Sequence, residues 1–412
     1  MLISIIIPTR ERAEYLKASL ATCVAIADPD IEIVVSDNAS LDHTQEVIRS
    51  FNDPRIINVN TGRRVSMREN FDFAISKSSG EYVIMIGDDD AMLPGQFSAL
   101  RGILEECRPN VFSWCHLGYG WPLPGYHRRG HTRLRRDTTF GPPTVIATAP
   151  LVPSAEGTDD AGIPVPRIYH GCASRKILNR IHAKTGAYLN SRAPDLYFML
   201  YTIFAERNFL YADHPFSISG HTPADIGGSH RYRAPDPRAQ PAIRFVAEVE
   251  ADPRQDAIPG PWPTLHLTRL AQLETVKRDW SDSLTIRPRY RDWYRQILAA
   301  NRDSPTLLKE VVDFLGRYAK SNATEEDLGA ALVDLSRTRL GGSRFMVRLK
   351  KNLRIEWPIT ISGWQGTANT VATVASKVDD VLGDNYSQLM KQPGDRAKLW
   401  RSARLRSLGV RA

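Results

Sequence analysis

Three adjacent carboxylates, Asp88, Asp89 and Asp90, follow Gly87 at the end of the apolar run Tyr82-Val83-Ile84-Met85-Ile86. Like charges this close repel, and gathering them at the mouth of a buried strand requires a cation or hydrogen-bond donors to offset the repulsion. No Cys or His cluster stands beside them. Hard oxygen donors favour Mg2+ or Mn2+, ions that commonly bridge one or two carboxylates to substrate phosphates. The chemistry indicated is the handling of a nucleotide-linked substrate. A polar turn is the competing reading, because Asp is common in turns and Pro94-Gly95 follow closely.

The elements that must position these residues are legible upstream. The first ninety residues alternate short apolar runs with helical patterns, in the order β-α-β-α-β-α-β, which predicts a parallel sheet covered by helices. Strands are expected at Leu2 to Pro8, Ile31 to Ser36, Ile56 to Asn60 and Tyr82 to Ile86, with helices at Tyr15 to Cys23, Thr44 to Phe51 and Ser66 to Ser76. In open α/β sheets ligands sit beyond the carboxyl ends of the strands. Thr9, Arg10, Asp37 and the run Asp88 to Asp90 all fall there, so three polar strand ends share one rim and favour a pocket over unrelated loops.

With those residues in place, Ser4-Ile5-Ile6-Ile7-Pro8-Thr9-Arg10, Glu32-Ile33-Val34-Val35-Ser36-Asp37-Asn38-Ala39-Ser40 and Gly80-Glu81-Tyr82-Val83 leading to Gly87-Asp88-Asp89-Asp90 with Pro94 form an ordered set. The set resembles the family 2 glycosyltransferases of the GT-A fold, over roughly the first quarter of the chain. The resemblance implies an α/β, Rossmann-like, mostly parallel sheet with flanking helices, to which a C-terminal helical region is added. It implies a nucleotide-sugar donor, UDP-, GDP- or dTDP-linked, with Asp37 on the base and Pro8, Thr9, Arg10 and Asn38 lining the same site. Asp89 and Asp90 would hold a Mn2+ or Mg2+ ion on the diphosphate, and Asp88 would reach the ribose. Arg68 and Asn70 align with a helix start whose polar residues face the nucleotide in relatives; helix solvation is their other reading.

Inverting transfer also needs a base to take the acceptor proton. The resemblance implies Asp195, in Arg192-Ala193-Pro194-Asp195-Leu196-Tyr197, although relatives often carry an acidic pair where this chain has Pro194 before a single Asp. Capping of the following helix is the alternative, and Asp213 and Asp225 are weaker substitutes. The segment Gly220 to His230 resembles a lid, within which His221 would contact metal or phosphate, unless it is simply solvated.

Composition bounds the remainder. The chain has 412 residues, 42% of them hydrophobic, enough for a catalytic domain over 1–232, a Pro-rich linker over 233–263 and a helical region over 264–342. Residues 118–167 read as a long insertion, a candidate acceptor loop whose Tyr119, Trp121 and Tyr126 would stack on sugars; disorder is the alternative. Residues 343–412 hold 13 Lys plus Arg against 5 Asp plus Glu, the whole of the net charge of +8. This basic tail, with Trp357, Trp364 and Trp400 and with Arg396, Lys398, Arg401, Arg404 and Arg406, suits an anionic membrane face, against a solvated tail. No motif supports nucleic acid as a partner. Four cysteines without zinc or redox spacing, and no apolar run of spanning length, predict a cytoplasmic protein, peripheral at the inner face of the membrane.

The expected function is transfer of a sugar to a glycan, lipid-linked or protein acceptor. A sugar nucleotidyltransferase would carry a Gly-rich basic loop after strand one, where this chain has Pro8-Thr9-Arg10-Glu11-Arg12. A catalytically degenerate relative, serving as a glycan-binding or assembly subunit, is the second rival.

Overall fold

The computed structural model describes residues 1–122, 129–157, 163–222, 247, 251–258, 265–337, 357–364, 369–384 and 396–409. β1 (Ile3–Thr9), α1 (Ala13–Val24), β2 (Ile31–Asp37), α2 (Thr44–Ser50), β3 (Ile56–Asn60), α3 (Met67–Ser76) and β4 (Tyr82–Met85) follow in the order read from the sequence. Ser66 and Glu69 close a full capping box at the start of α3, a device worth about 1 kcal/mol. Next come β5 (Ala91–Met92), α4 (Phe97–Cys107), β6 (Val111–Trp114), β7 (Leu117–Gly120), β8 (His131–Leu134), β9 (Pro143–Ala147), α5 (Val152–Glu156), β10 (Gly171–Ser174), α6 (Arg175–Thr185), α7 (Pro194–Ala205), β11 (Asn208–Ala212) and β12 (Ser217–His221).

Eight strands form the main sheet in the order β3-β2-β1-β4-β10-β6-β11-β9. Strands β1 to β4, β6 and β11 run the same way, whereas β10 is antiparallel to both β4 and β6, and β9 is antiparallel to β11. The expected fold class, a mostly parallel sheet with flanking helices, is therefore what the chain adopts. A smaller sheet, β5-β12-β7, stands at the carboxyl end of β4. Strands β11 and β12 follow closely in the chain but belong one to each sheet, because Asp213 to Phe216 turn the chain between them.

Side-chain alternation sorts the core into two layers. Ile3, Ile5 and Ile7 of β1 pack with Leu16 and Leu20 of α1 and Leu100 of α4, while Ile6 and Val34 point to the opposite face. On that second face lie α3, α6 and α7 together with α8 (Leu265–Asp279), α9 (Tyr290–Asn301), α10 (Pro305–Asn322) and α11 (Glu325–Arg337).

Three expectations about organisation are corrected. Within the insertion 118–167, the described residues carry β8, β9 and α5, and β9 forms an edge of the main sheet, so much of it is framework. The described part of the linker, residues 251–258, is docked. Asp252 accepts from Arg68 Nε and Nη2 at 2.8 Å each, and Asp256 accepts from Arg192 Nε at 2.8 Å. All four side chains are nearly inaccessible to solvent, and removing one partner of such a pair costs about 3–5 kcal/mol.

The tail, too, is folded in its described parts. β13 (Ile359–Ser362) pairs with β8, and α12 (Val371–Leu382) and α13 (Arg396–Ser407) cover the first face. Leu399 and Trp400 of α13 are buried there, each stabilising by roughly 1.5–3 kcal/mol. Trp400 is therefore core, while Trp357 and Trp364 stay exposed. Among the described residues no helix is long and apolar enough to cross a membrane.

Candidate active site

The carboxyl ends of β1, β2, β4, β6 and β11 open onto one rim. Because β10 runs antiparallel between β4 and β6, its entry residues reach the same rim: Tyr169 bridges Met85, and the His170 amide donates to the Met85 carbonyl at 3.0 Å. His170 has φ 51°, a left-handed conformation sparsely populated by residues with a side chain.

Asp88 is tied to β1. Its Oδ2 accepts from Thr9 Oγ1 at 2.8 Å, and its Oδ1 lies 3.1 Å from Arg12 Nε. Asp89 accepts from Arg12 Nη2 at 2.6 Å. Its backbone carbonyl accepts from Trp121 Nε1 at 2.9 Å.

Asp90 is enclosed by donors. Gly220 N donates to Oδ1 at 2.8 Å, Gly87 N and Tyr169 Oη donate to Oδ2 at 2.6 Å each, and His170 Nε2 stands 3.3 Å from Oδ2. Gly220 is required here, because a Cβ on it would fall 1.9 Å from the Asp89 carbonyl oxygen. Trp114 Nε1 donates to Ser217 Oγ at 2.9 Å, and that hydroxyl lies 2.9 Å from His170 Nδ1. The Ser217 hydroxyl, with one proton and two lone pairs, can meet Nδ1 in either role, and the other ring nitrogen, Nε2, faces Asp90.

The three carboxyls titrate apart. Burial, opposed by Arg12, pushes Asp88 above the usual carboxylate range. Burial, with the Asp90 and Asp88 charges added, raises Asp89 to about 7 despite Arg12. Burial also acts on Asp90, but the charge and contact of His170 with the Tyr169 and Gly87 donors outweigh it and hold that group at about 2. One guanidinium is too little positive charge for the turn, and the two carboxyls it serves carry the excess.

That imbalance, on hard oxygen donors, fits a divalent cation completed by substrate phosphates. The structure does not gather the expected ligands Asp89, Asp90 and His221 into one set. Both oxygens of Asp90 are already engaged, and among the described residues no three His, Cys, Asp or Glu side chains converge as a metal cage. His221 is exposed at the end of β12, where its carbonyl accepts from Trp121 N at 3.1 Å.

Several expected nucleotide contacts are internal ties. Asn38 is clipped to Val65, donating to its carbonyl and accepting from its amide at 2.9 Å each. Arg68 is consumed by Asp252, and Asn70 Oδ1 accepts from Ser36 Oγ at 2.7 Å inside the core. Asp37 is fully buried and accepts from Ser40 N, Gln45 Nε2 and Asn60 Nδ2 at 3.0, 2.7 and 2.9 Å. Pro8 is buried within β1, and Arg10 is partly exposed beside Asp88, to which its amide donates. Tyr119 and Trp121 are core residues rather than a sugar platform, and Tyr126 and Asp225 lie outside the described residues.

Asp195 sits in the first turn of α7, which a two-residue link joins to β11, so the helix start lies at the rim where β11 ends. It is open to solvent yet closely surrounded. Burial raises its carboxyl above the usual range, against its own amide, that of Leu196 and the Arg167 charge. Arg167 is also the link to the acidic turn. Its Nη1 lies 3.2 Å from His116 Nδ1, and His116 stacks on His170 with centroids 4.6 Å apart. Burial, followed by the proximity of His170 and Arg167, lowers His116 to about 3, so it faces Arg167 as a neutral acceptor. Asp213 directly follows β11, where burial raises its carboxyl against the charge of Arg396. A recess of about 350 Å³ lined by Asn110, Arg180, Glu206 and Asn208 opens at the opposite rim.

Residues 4–177 match the family described as glycosyl transferase family 2. This stretch is a family 2 glycosyltransferase domain. Over 116 residues the chain is 31% identical to the GalNAc(5)-diNAcBac-PP-undecaprenol beta-1,3-glucosyltransferase of Campylobacter jejuni, covering 27% of this chain and 38% of that protein. Abequosyltransferase RfbV of Salmonella typhimurium is 36% identical over 112 residues, 26% of this chain and 33% of the relative. The chain thus spans little more than about a third of the curated relatives it matches. The crystal structure of S. aureus TarS 1-349 in complex with UDP-GlcNAc superposes at a TM-score of 0.47 with 14% identity, over 83% of this chain and 93% of that one.

Arg12, Tyr169, His170, His116 and Arg167 escaped the sequence reading. Arg12 lies two residues beyond the motif that drew notice to Arg10. Arg167, Tyr169 and His170 precede β10, a short strand whose antiparallel insertion leaves no periodic signal, and His116 sits in the short link between β6 and β7.

Proposed function

We propose that this chain is an inverting glycosyltransferase that moves a sugar from a nucleoside-diphosphate donor to a glycan or lipid-linked acceptor. What supports the reading most is the shared rim of Thr9, Arg10, Arg12, Asp88 and Asp89, with Asp195 reached through the His170–His116–Arg167 row. Held by Asp88 and Asp89, a Mn2+ or Mg2+ ion would neutralise charge on the departing diphosphate. Thr9 and Arg10 line the nucleotide, and Asp37 meets the base by exchanging the Gln45 or Asn60 amide for a base N–H. Asp195 takes the proton of the acceptor hydroxyl, and the upward shift of its carboxyl makes it a stronger base than an ordinary aspartate. Arg167 steadies the Asp195 carboxylate and, through His116, ties it to the acidic turn. The Campylobacter relative is named for a PP-undecaprenol-linked saccharide, which favours a lipid-linked acceptor here.

Calorimetry with UDP, GDP and dTDP, with and without Mn2+, tests this directly. One nucleotide is expected to bind, and to bind more tightly with Mn2+. Silence across the three would favour a relative that transfers nothing.

The membrane side of the proposal is carried by the C-terminal surface. Trp357, Trp364, Leu405 and Leu408 are 79%, 38%, 44% and 73% exposed, and Lys398, Arg401 and Arg404 lie open on α13. Apolar tips among cations suit an anionic bilayer. The protein is expected to co-sediment with vesicles containing phosphatidylglycerol, and Trp357→Ser with Leu408→Ser to reduce that fraction. Equal sedimentation of the double variant would remove the surface from the proposal.

A further inference from the structure

We propose that Arg12 is a resident cation of the acidic turn, which gives up Asp89 to a divalent ion and turns to the donor diphosphate, so that ion and nucleotide bind as a pair. This rests on the reading of Asp88 and Asp89 as the cation and diphosphate turn. The guanidinium lies on both carboxylates, with Nε 3.1 Å from Asp88 Oδ1 and Nη2 2.6 Å from Asp89 Oδ2. Nη2 also donates to Thr222 Oγ1 at 3.1 Å, and the guanidinium carbon stands 5.0 Å from the Tyr15 ring centroid. Asp90 is the less available ligand, since the Gly87 and Tyr169 donors and the His170 ring crowd its Oδ2 and the Gly220 amide holds its Oδ1. A divalent ion is left with the two carboxylates that Arg12 already serves.

Two cations cannot share Asp89 Oδ2 without strong repulsion, so the ion must displace the guanidinium. An arginine driven from a carboxylate needs another anion, and its planar fork suits phosphate as well as it suits carboxylate. A nucleoside diphosphate arriving with the ion supplies that anion; the ion alone does not. The ion by itself therefore meets a competitor, while in the pair the competitor becomes a ligand contact. Coupling of this kind is reciprocal, so each component strengthens the binding of the other.

The test uses the full chain. Binding of Mn2+ alone is read by the electron paramagnetic resonance of the free ion, and binding of UDP, GDP and dTDP at saturating Mn2+ by calorimetry. In Arg12→Gln, Mn2+ alone is expected to bind about tenfold tighter, equivalent to about 1.4 kcal/mol, while diphosphate affinity at saturating Mn2+ falls about tenfold. Unchanged or weaker Mn2+ binding overturns the proposal, and so does unchanged diphosphate affinity. Should Arg12→Gln fail to fold, Arg12→Lys decides: it keeps the charge but loses the fork, so Mn2+ alone should bind tighter than to the parent, and equal or weaker binding overturns the idea. A parent protein that binds none of the three nucleotides overturns the transferase reading instead, and the Mn2+ comparison still judges Arg12.

Discussion

An Asp195→Asn variant is expected to bind its nucleotide as the parent does and to transfer sugar roughly 10²- to 10⁴-fold more slowly, the usual contribution of a positioned base. The substitution keeps shape and hydrogen-bonding reach while removing the lone proton acceptor. Asp195 already bonds to its own amide and to that of Leu196, as a first-turn carboxylate does, and these bonds pull its pKa down. Burial outweighs them. The net shift is upward from the ordinary 3.8, so the base loses function as pH falls through a value above the normal carboxyl range. The parent rate should show that acid limb, and the Asn variant should lack it. Steady-state rates across pH, beside nucleotide affinity, decide the matter. A variant that transfers at the parent rate but melts earlier would return Asp195 to a capping role.

Asp90→Ala should instead destabilise the fold, by about 3–5 kcal/mol, the range for removing one side of a buried charged network. Its loss would strand the amides of Gly87 and Gly220, the Tyr169 hydroxyl and the His170 ring. Urea unfolding monitored by circular dichroism measures the effect. The pH dependence has a definite sign: a carboxyl held at about 2 against 3.8 when unfolded adds stability that is fully present above 3.8 and is lost as pH falls toward 2. Asp89→Asn is the contrast. That carboxyl is raised to about 7, so neutralising it relieves repulsion; stability should hold while cation-dependent nucleotide binding disappears. The reverse pattern, Asp90→Ala stable and Asp89→Asn unfolded, would exchange the two roles.

The split within one acidic triplet shows why residue type alone underdetermines a site. Asp88, Asp89 and Asp90 are chemically identical and adjacent, and they leave the same strand. What separates them is the company each keeps: Thr9 and Arg12 for the first two, β10 and β12 for the third. Arg68 and Asn70 make the same point from the other side. Their place at a helix start was readable, but Asp252, 184 residues from Arg68, and Ser36, 34 residues from Asn70, claim them for the interior.

By itself the sequence determined the βα alternation, the first four strands within two residues, and the rim on which the polar strand ends and the acidic turn meet. These follow from local rules, since apolar periodicity reports the element and strand polarity reports the ligand-binding edge. Tertiary structure alone decided that β10 enters antiparallel and delivers Tyr169 and His170, that residues 251–258 and the described parts of the C-terminal segment pack onto the sheet domain, and that Asp90 serves the framework. The physical reason is range: the Gly220 amide that claims Asp90 is 130 residues away in the chain, and no local pattern of residues records a partner that only folding brings within 3 Å.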